Sequence, residues 1–120
     1  MKIEHLALHV RDPARSARFY LEDVGLDATA TDEEWGVRVR LVDGFMLALI
    51  RGEPVPSEVV DRVHFGCALA SPEAARAVRE RMRRVGTREV EWCDEEGYTG
   101  VKVTDPDGYV IELSYDAQER

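Results

Sequence analysis

The stretch His5-Leu6-Ala7-Leu8-His9-Val10-Arg11-Asp12-Pro13 returns, respelled, as His64-Phe65-Gly66-Cys67-Ala68-Leu69-Ala70-Ser71-Pro72. In both copies a histidine opens an alternating segment, and seven residues later a short polar residue precedes a proline. Alternation at period two specifies a strand with one buried face. Asp or Ser before Pro specifies a helix start, because the side-chain oxygen caps an orphan amide and Pro has no amide to leave unpaired. Each copy therefore reads as a strand feeding a helix. The helices close at Gly25 and Gly86, which can take the left-handed conformation that ends a helix.

Working outward, each half then reaches an Asp-Gly turn, Asp43-Gly44 or Asp107-Gly108, followed by an apolar run. Four residues past each turn glycine stand Ala48 in the first half and Glu112 in the second. In the first half, a strand is expected around residues 35–42, with Val37, Val39 and Leu41 alternating against Arg38 and Arg40. Its hairpin partner is expected at 45–50. In the second half the expected elements are a strand over 62–70, a helix from Ser71 to Gly86, a short strand at 89–93, and a hairpin of 100–104 with 109–115. Residues 51–57, with Pro54 and Pro56, read as the connection between halves. Each half is one strand, one helix and then two or three strands. Neither covers its own sheet, so the halves are expected to pack together, within one chain or across a dimer.

The bulk properties set limits. At 120 residues the chain is expected to be one domain, long enough to bury a core. A formal net charge of −8 argues against nucleic acid as a partner. No apolar run reaches membrane-spanning length and no signal-peptide layout opens the chain, so cytoplasmic residence is expected. Two cysteines, Cys67 and Cys93, are too few for a disulfide framework or a thiolate zinc knuckle. The acidic runs Asp32-Glu33-Glu34 and Glu89 to Glu96 read as solvated loops, or else as a rim attracting a cationic small molecule.

On the strand faces, His5, Ala7 and His9 oppose Leu6, Leu8 and Val10. His64, Gly66 and Ala68 oppose Phe65, Cys67 and Leu69. Glu112 lies between Val110 and Ser114 on a face opposite Ile111, Leu113 and Tyr115. If the halves pair about a pseudo-twofold axis, His5, His64 and Glu112 converge. Two imidazoles and one carboxylate form a facial ligand set for a divalent metal, with positions open to water or a chelating substrate. Iron(II), manganese, nickel and zinc all suit such donors. A lone histidine on a strand is more often solvated than a ligand; the repeat is what singles these two out.

The segment from Ile3 to Asp12, with Phe19-Tyr20 and Gly25-Leu26, resembles the opening of the vicinal oxygen chelate superfamily, the glyoxalase, bleomycin-resistance and extradiol dioxygenase group. Asp105-Pro106-Asp107-Gly108-Tyr109-Val110-Ile111-Glu112-Leu113 resembles its closing motif more closely still. The resemblance implies an α+β fold of two βαβββ modules, residues 1–52 and 60–116, forming a curved sheet around a metal or ligand cleft. It assigns the metal ligands to His5, His64 and Glu112. It places Ala48 where glyoxalase I carries a glutamate that binds metal and moves a proton, so glyoxalase or epimerase chemistry is disfavoured and a three-ligand, dioxygenase-like site is favoured.

On that reading the chain is a metal-dependent dioxygenase or lyase acting on a small oxygen-chelating substrate. His9 is the acid–base candidate, with Tyr98 and Tyr109 behind it, and Arg38, Arg40, Lys102 and Trp35 are the substrate-binding candidates. The competing reading resembles the bleomycin-resistance proteins: a non-catalytic homodimer conferring antibiotic resistance by binding a cationic or aromatic drug through Trp35, Trp92 and the acidic segments.

Overall fold

The computed structural model describes residues 1–119. They form two compact units, Met1–Val55 and the unit that begins at Pro56. The first unit runs β1 (His5–Val10), α1 (Pro13–Arg18) continued by a π-helical segment (Phe19–Val24), β2 (Ala28–Glu33), β3 (Gly36–Leu41) and β4 (Met46–Arg51). The second runs α2 (Ser57–Val60), β5 (His64–Ala68), α3 (Pro72–Val85), β6 (Glu89–Glu95), β7 (Tyr98–Thr104), β8 (Val110–Asp116) and a final 3-10 turn. Each unit is thus a βαβββ module, and the fold is α+β.

The sheets have matching orders, β1-β4-β3-β2 and β5-β8-β7-β6. In each, the first strand pairs parallel with the last, so the chain must cross over, and the helix is that crossover. The last two strands form an antiparallel hairpin. Gly44 (φ +95°) and Gly108 (φ +96°) take the left-handed position in the two hairpin turns.

Both predicted helix starts are realised. Asp12 accepts a hydrogen bond from the Arg15 amide at 3.2 Å, and Ser71 accepts one from the Ala74 amide at 3.1 Å. Gly25 (φ +85°) and Gly86 (φ +83°) close the helices. The helical turns differ between units. From Phe19 onward the first helix widens to π geometry, and the Gly25 amide donates to the Tyr20 carbonyl five residues back. This stretch buries Phe19, Tyr20 and Val24, with Phe19 and Tyr20 packed edge to face at 5.1 Å. Ala75, Val78 and Met82 form the buried stripe of α3. Beneath the helices lie Leu8, Val10, Val37, Val39, Leu47 and Leu49 in one sheet, and Val101, Val103, Ile111 and Leu113 in the other.

Three expectations need correction. Residues 28–33, to which no element was assigned, form a strand, and Asp32 and Glu33 lie in that strand, not in a loop. The short strand expected at 89–93 is present and runs on to Glu95, so most of the acidic run is the edge strand β6 and not a loop. The proline-bearing connection ends in a helical turn, α2, which buries Val60.

Candidate functional site

On the face of the second sheet away from α3, the inner strand β8 presents Glu112. Its register partners are Gly66 on β5 and Lys102 on β7. His64, two residues before Gly66, therefore shares that face, and its Nε2 lies 3.1 Å from Glu112 Oε1. Glu112 is 20% exposed and His64 45%. The other carboxylate oxygen, Oε2, accepts a hydrogen bond from the Tyr98 hydroxyl. Tyr98 pairs in register with Asp116, so it reaches Glu112 diagonally, over Gly100. A Cβ on Gly100 would lie 2.8 Å from the Tyr98 hydroxyl and 2.7 Å from Ser114 Cβ. Burial, reinforced by the Glu112 carboxylate and only partly offset by a Ser114 hydrogen bond, pushes the phenol up to about 12. At neutral pH it is a hydrogen-bond donor.

The first sheet repeats this register with different side chains. Ala48 on β4 is flanked by Ala7 on β1 and Arg38 on β3, the positions that Gly66 and Lys102 hold around Glu112. His5, two residues before Ala7, is the counterpart of His64; its Nδ1 lies 2.8 Å from Glu4 Oε1 and its side chain is 51% exposed. Ala48 is 5% exposed.

Two of the three predicted metal donors are thus neighbours within one unit, and the third holds the equivalent strand position in the other. Among the described residues no cluster of three His, Cys, Asp or Glu side chains forms. The observed pair suits a divalent ion. Bonds of about 2.0–2.2 Å to nitrogen and oxygen put adjacent octahedral donors about 3 Å apart, and His64 Nε2 and Glu112 Oε1 stand at that spacing.

The remaining candidates are dispersed. His9 lies on the His5 face, its ring over Gly52, where an added Cβ would sit 3.6 Å from His9 Cγ. Arg38 stacks 5.9 Å from the Trp35 ring centre, with Nε 3.5 Å from Glu33. Nε of Arg38 is buried with no hydrogen-bond partner of good geometry. Arg40 donates to the Gly44 carbonyl at 3.1 Å and so ties the hairpin turn. Lys102 Nζ lies 3.1 Å from Glu91. Tyr109 is buried. Cys93 is a free thiol whose pKa is raised by burial and then by Glu95, which makes it a poor nucleophile. Sequence reasoning missed Gly100 and Ser114, whose part is visible only once β7 and β8 are in register.

A family model described as the glyoxalase/bleomycin resistance protein/dioxygenase superfamily matches residues 2–113. A possible glyoxalase from Bacillus cereus is similar at 26% identity and TM-score 0.77, covering 94% of this chain and 97% of that one. The fosfomycin resistance protein FosX from Listeria monocytogenes superimposes at TM-score 0.81 with 16% identity, covering 99% and 96%. A lactoylglutathione lyase from Agrobacterium tumefaciens does so at TM-score 0.71 with 17% identity, covering 95% and 92%. No curated protein matches the sequence. The last two likenesses establish the fold alone, and their differing activities show that this fold does not fix a reaction. No helix among the described residues is long and apolar enough to cross a membrane.

Proposed function

The chain belongs to the glyoxalase/bleomycin resistance protein/dioxygenase superfamily, and from that premise we propose that it is a divalent-metal enzyme acting on a small substrate with neighbouring oxygen atoms. The observation that carries this reading is the His64–Glu112 pair at 3.1 Å on an open sheet face. His5 is the third ligand on this proposal. Iron(II), manganese, nickel or zinc held by these residues supplies a Lewis acid that polarises the substrate oxygens.

The chain's own residues account for the rest. Lys102, directly across from Glu112, is a cation for an anionic substrate oxygen, and Arg38 is its counterpart in the first unit. His9 is the acid–base residue, since an imidazole can both accept and donate a proton. Ala48 neither binds metal nor moves a proton, so a three-ligand, dioxygenase-like reaction is favoured over glyoxalase chemistry.

The test is the metal content of untagged protein, with titration of iron(II), manganese, nickel and zinc into wild type and His64→Ala. Uptake of one ion per chain, lost in the variant, is expected. Wild type that accepts none of the four would sink the reading. Tight binding of a glycopeptide drug, indifferent to His64→Ala, would promote the dimeric drug-binding alternative instead.

A further inference from the structure

Resting on that metal-site reading, we propose that Tyr98 is a positioning residue: lying across Gly100, its hydroxyl fixes one oxygen of Glu112 and leaves the other turned toward His64. The terminal torsion of a glutamate is broad, so an unrestrained carboxylate samples many orientations. Here Oε1 faces His64 and Oε2 accepts from Tyr98. Two partners on different oxygens remove that freedom before any ligand arrives. Outer partners that orient a ligating carboxylate commonly tune metal affinity.

The device depends on a missing side chain. Tyr98 reaches Glu112 only because nothing rises from residue 100, where an added Cβ would sit 2.8 Å from the hydroxyl oxygen and 3.1 Å from Cζ. Ser114, whose Cβ would stand 2.7 Å from an added Cβ on residue 100, borders the same space from the adjoining strand.

The first unit supplies an internal control. Gly36 is the register counterpart of Gly100, but the first unit has no strand residue in the place of Tyr98: β3 begins at Gly36, and Glu34 lies in the turn before it. Gly36 is required for its backbone, at φ +151° with Leu49 O only 2.0 Å from an added Cβ. The unit that has Ala48 in place of the carboxylate also lacks the tyrosine. The tyrosine occurs only where there is a carboxylate to hold.

Manganese(II) affinity, measured by calorimetry on the full chain, tests the assignment. Tyr98→Phe is expected to weaken binding about 10–100-fold, the usual effect of losing an outer partner. Gly100→Ala keeps the hydroxyl but takes its space, and is expected to weaken binding similarly. In Tyr98→Phe/Gly100→Ala the second change adds little, because both act on one hydrogen bond. The 13Cζ resonance of Tyr98 in the metal-free protein, identified by its loss in Tyr98→Phe, is expected to shift in Gly100→Ala. Should Gly100→Ala not fold, Tyr98→Phe carries the test alone. Wild-type affinity in Tyr98→Phe overturns the positioning role and leaves the metal site standing. A wild-type chain that binds no manganese(II) overturns the metal site itself, and the role with it.

Discussion

In the first unit the inner strand offers Ala48 between Ala7 and Arg38; in the second it offers Glu112 between Gly66 and Lys102. Strand order, pairing sense, the cap at each helix start and the Asp-Gly turns agree between the units, so the sheet topology does not distinguish them, although the first helix widens to π geometry. What differs is which side chains a common register displays. A small buried alanine closes one face, while a half-buried glutamate with histidine, tyrosine and lysine around it equips the other. A duplicated scaffold can keep its hydrophobic layer fixed and vary the opposite face, because successive residues of a strand point to different sides.

The sharpest way to break this contrast is to make the second unit copy the first. Glu112→Ala removes a proposed ligand and leaves His64 and Tyr98 without their shared partner. Manganese(II) affinity is expected to fall more than about 100-fold, beyond what loss of an outer partner gives, and calorimetry measures it. Affinity within tenfold of wild type would mean that Glu112 is not a ligand. The reverse exchange, Ala48→Glu, forces a charged side chain into a site only 5% exposed. It is expected to cost about 1–3 kcal/mol, as overpacking does, read from the urea midpoint. A neutral result would show that the first unit has room for a carboxylate and lacks one for chemical reasons alone.

Much of this was legible in the sequence because the signals are local. Asp12-Pro13 and Ser71-Pro72 announce helix starts whatever surrounds them, and Asp43-Gly44 and Asp107-Gly108 announce turns. The Ala48 and Glu112 equivalence followed from counting out of those turns, and the strand register bears it out. Strand β2 was not legible, since Ala28-Thr29-Ala30-Thr31 alternates without any large apolar side chain and pairs only as an edge against β3. The π turn after Phe19 leaves no pattern that differs from an ordinary helix. Gly100 read as a strand start, because its purpose is space for a side chain two residues away, set by tertiary register and not by spacing. The dispersal of Arg40 and Trp35 was equally hidden, since alternation gives a face but not a partner.

Equivalence of the scaffolds is tested by the caps. Asp12→Ala and Ser71→Ala each remove one side-chain acceptor from an amide in the first helical turn. Each is expected to cost about 1 kcal/mol, and denaturation midpoints should report similar losses. A much larger loss for Asp12 would show that the π-containing helix depends on its start more than α3 does.

The smallest expected effect separates how the two helices are held to their sheets. The first lies on β3 and β4 and buries Pro13, Ser16, Ala17, Phe19, Tyr20 and Val24, none of which carries a carboxyl group. The longer α3 adds charged ties to β6: Arg79 Nε donates to Glu89 at 2.8 Å while its guanidinium lies 4.4 Å from the Trp92 ring centre, and Arg76 makes a two-point pair with Asp94. The Arg79 hydrogen bond holds the Glu89 carboxyl below its ordinary value of 4.5, and Arg76 does the same for Asp94. A depressed carboxyl contributes stability that is complete above its unfolded pKa and disappears as pH falls through the folded one. Acidification below about pH 4 should therefore loosen α3 and β6 before α1 and β4. Hydrogen-exchange protection factors at neutral pH and at about pH 3 measure this. Glu89→Gln should lower α3 protection slightly at neutral pH and reduce its further loss in acid. The effect is small because these pairs are partly solvated, so exposed screening limits each one. Equal acid sensitivity of both helices would show that the ion pairs merely decorate an apolar contact, and each helix would then be held to its own sheet by the same means.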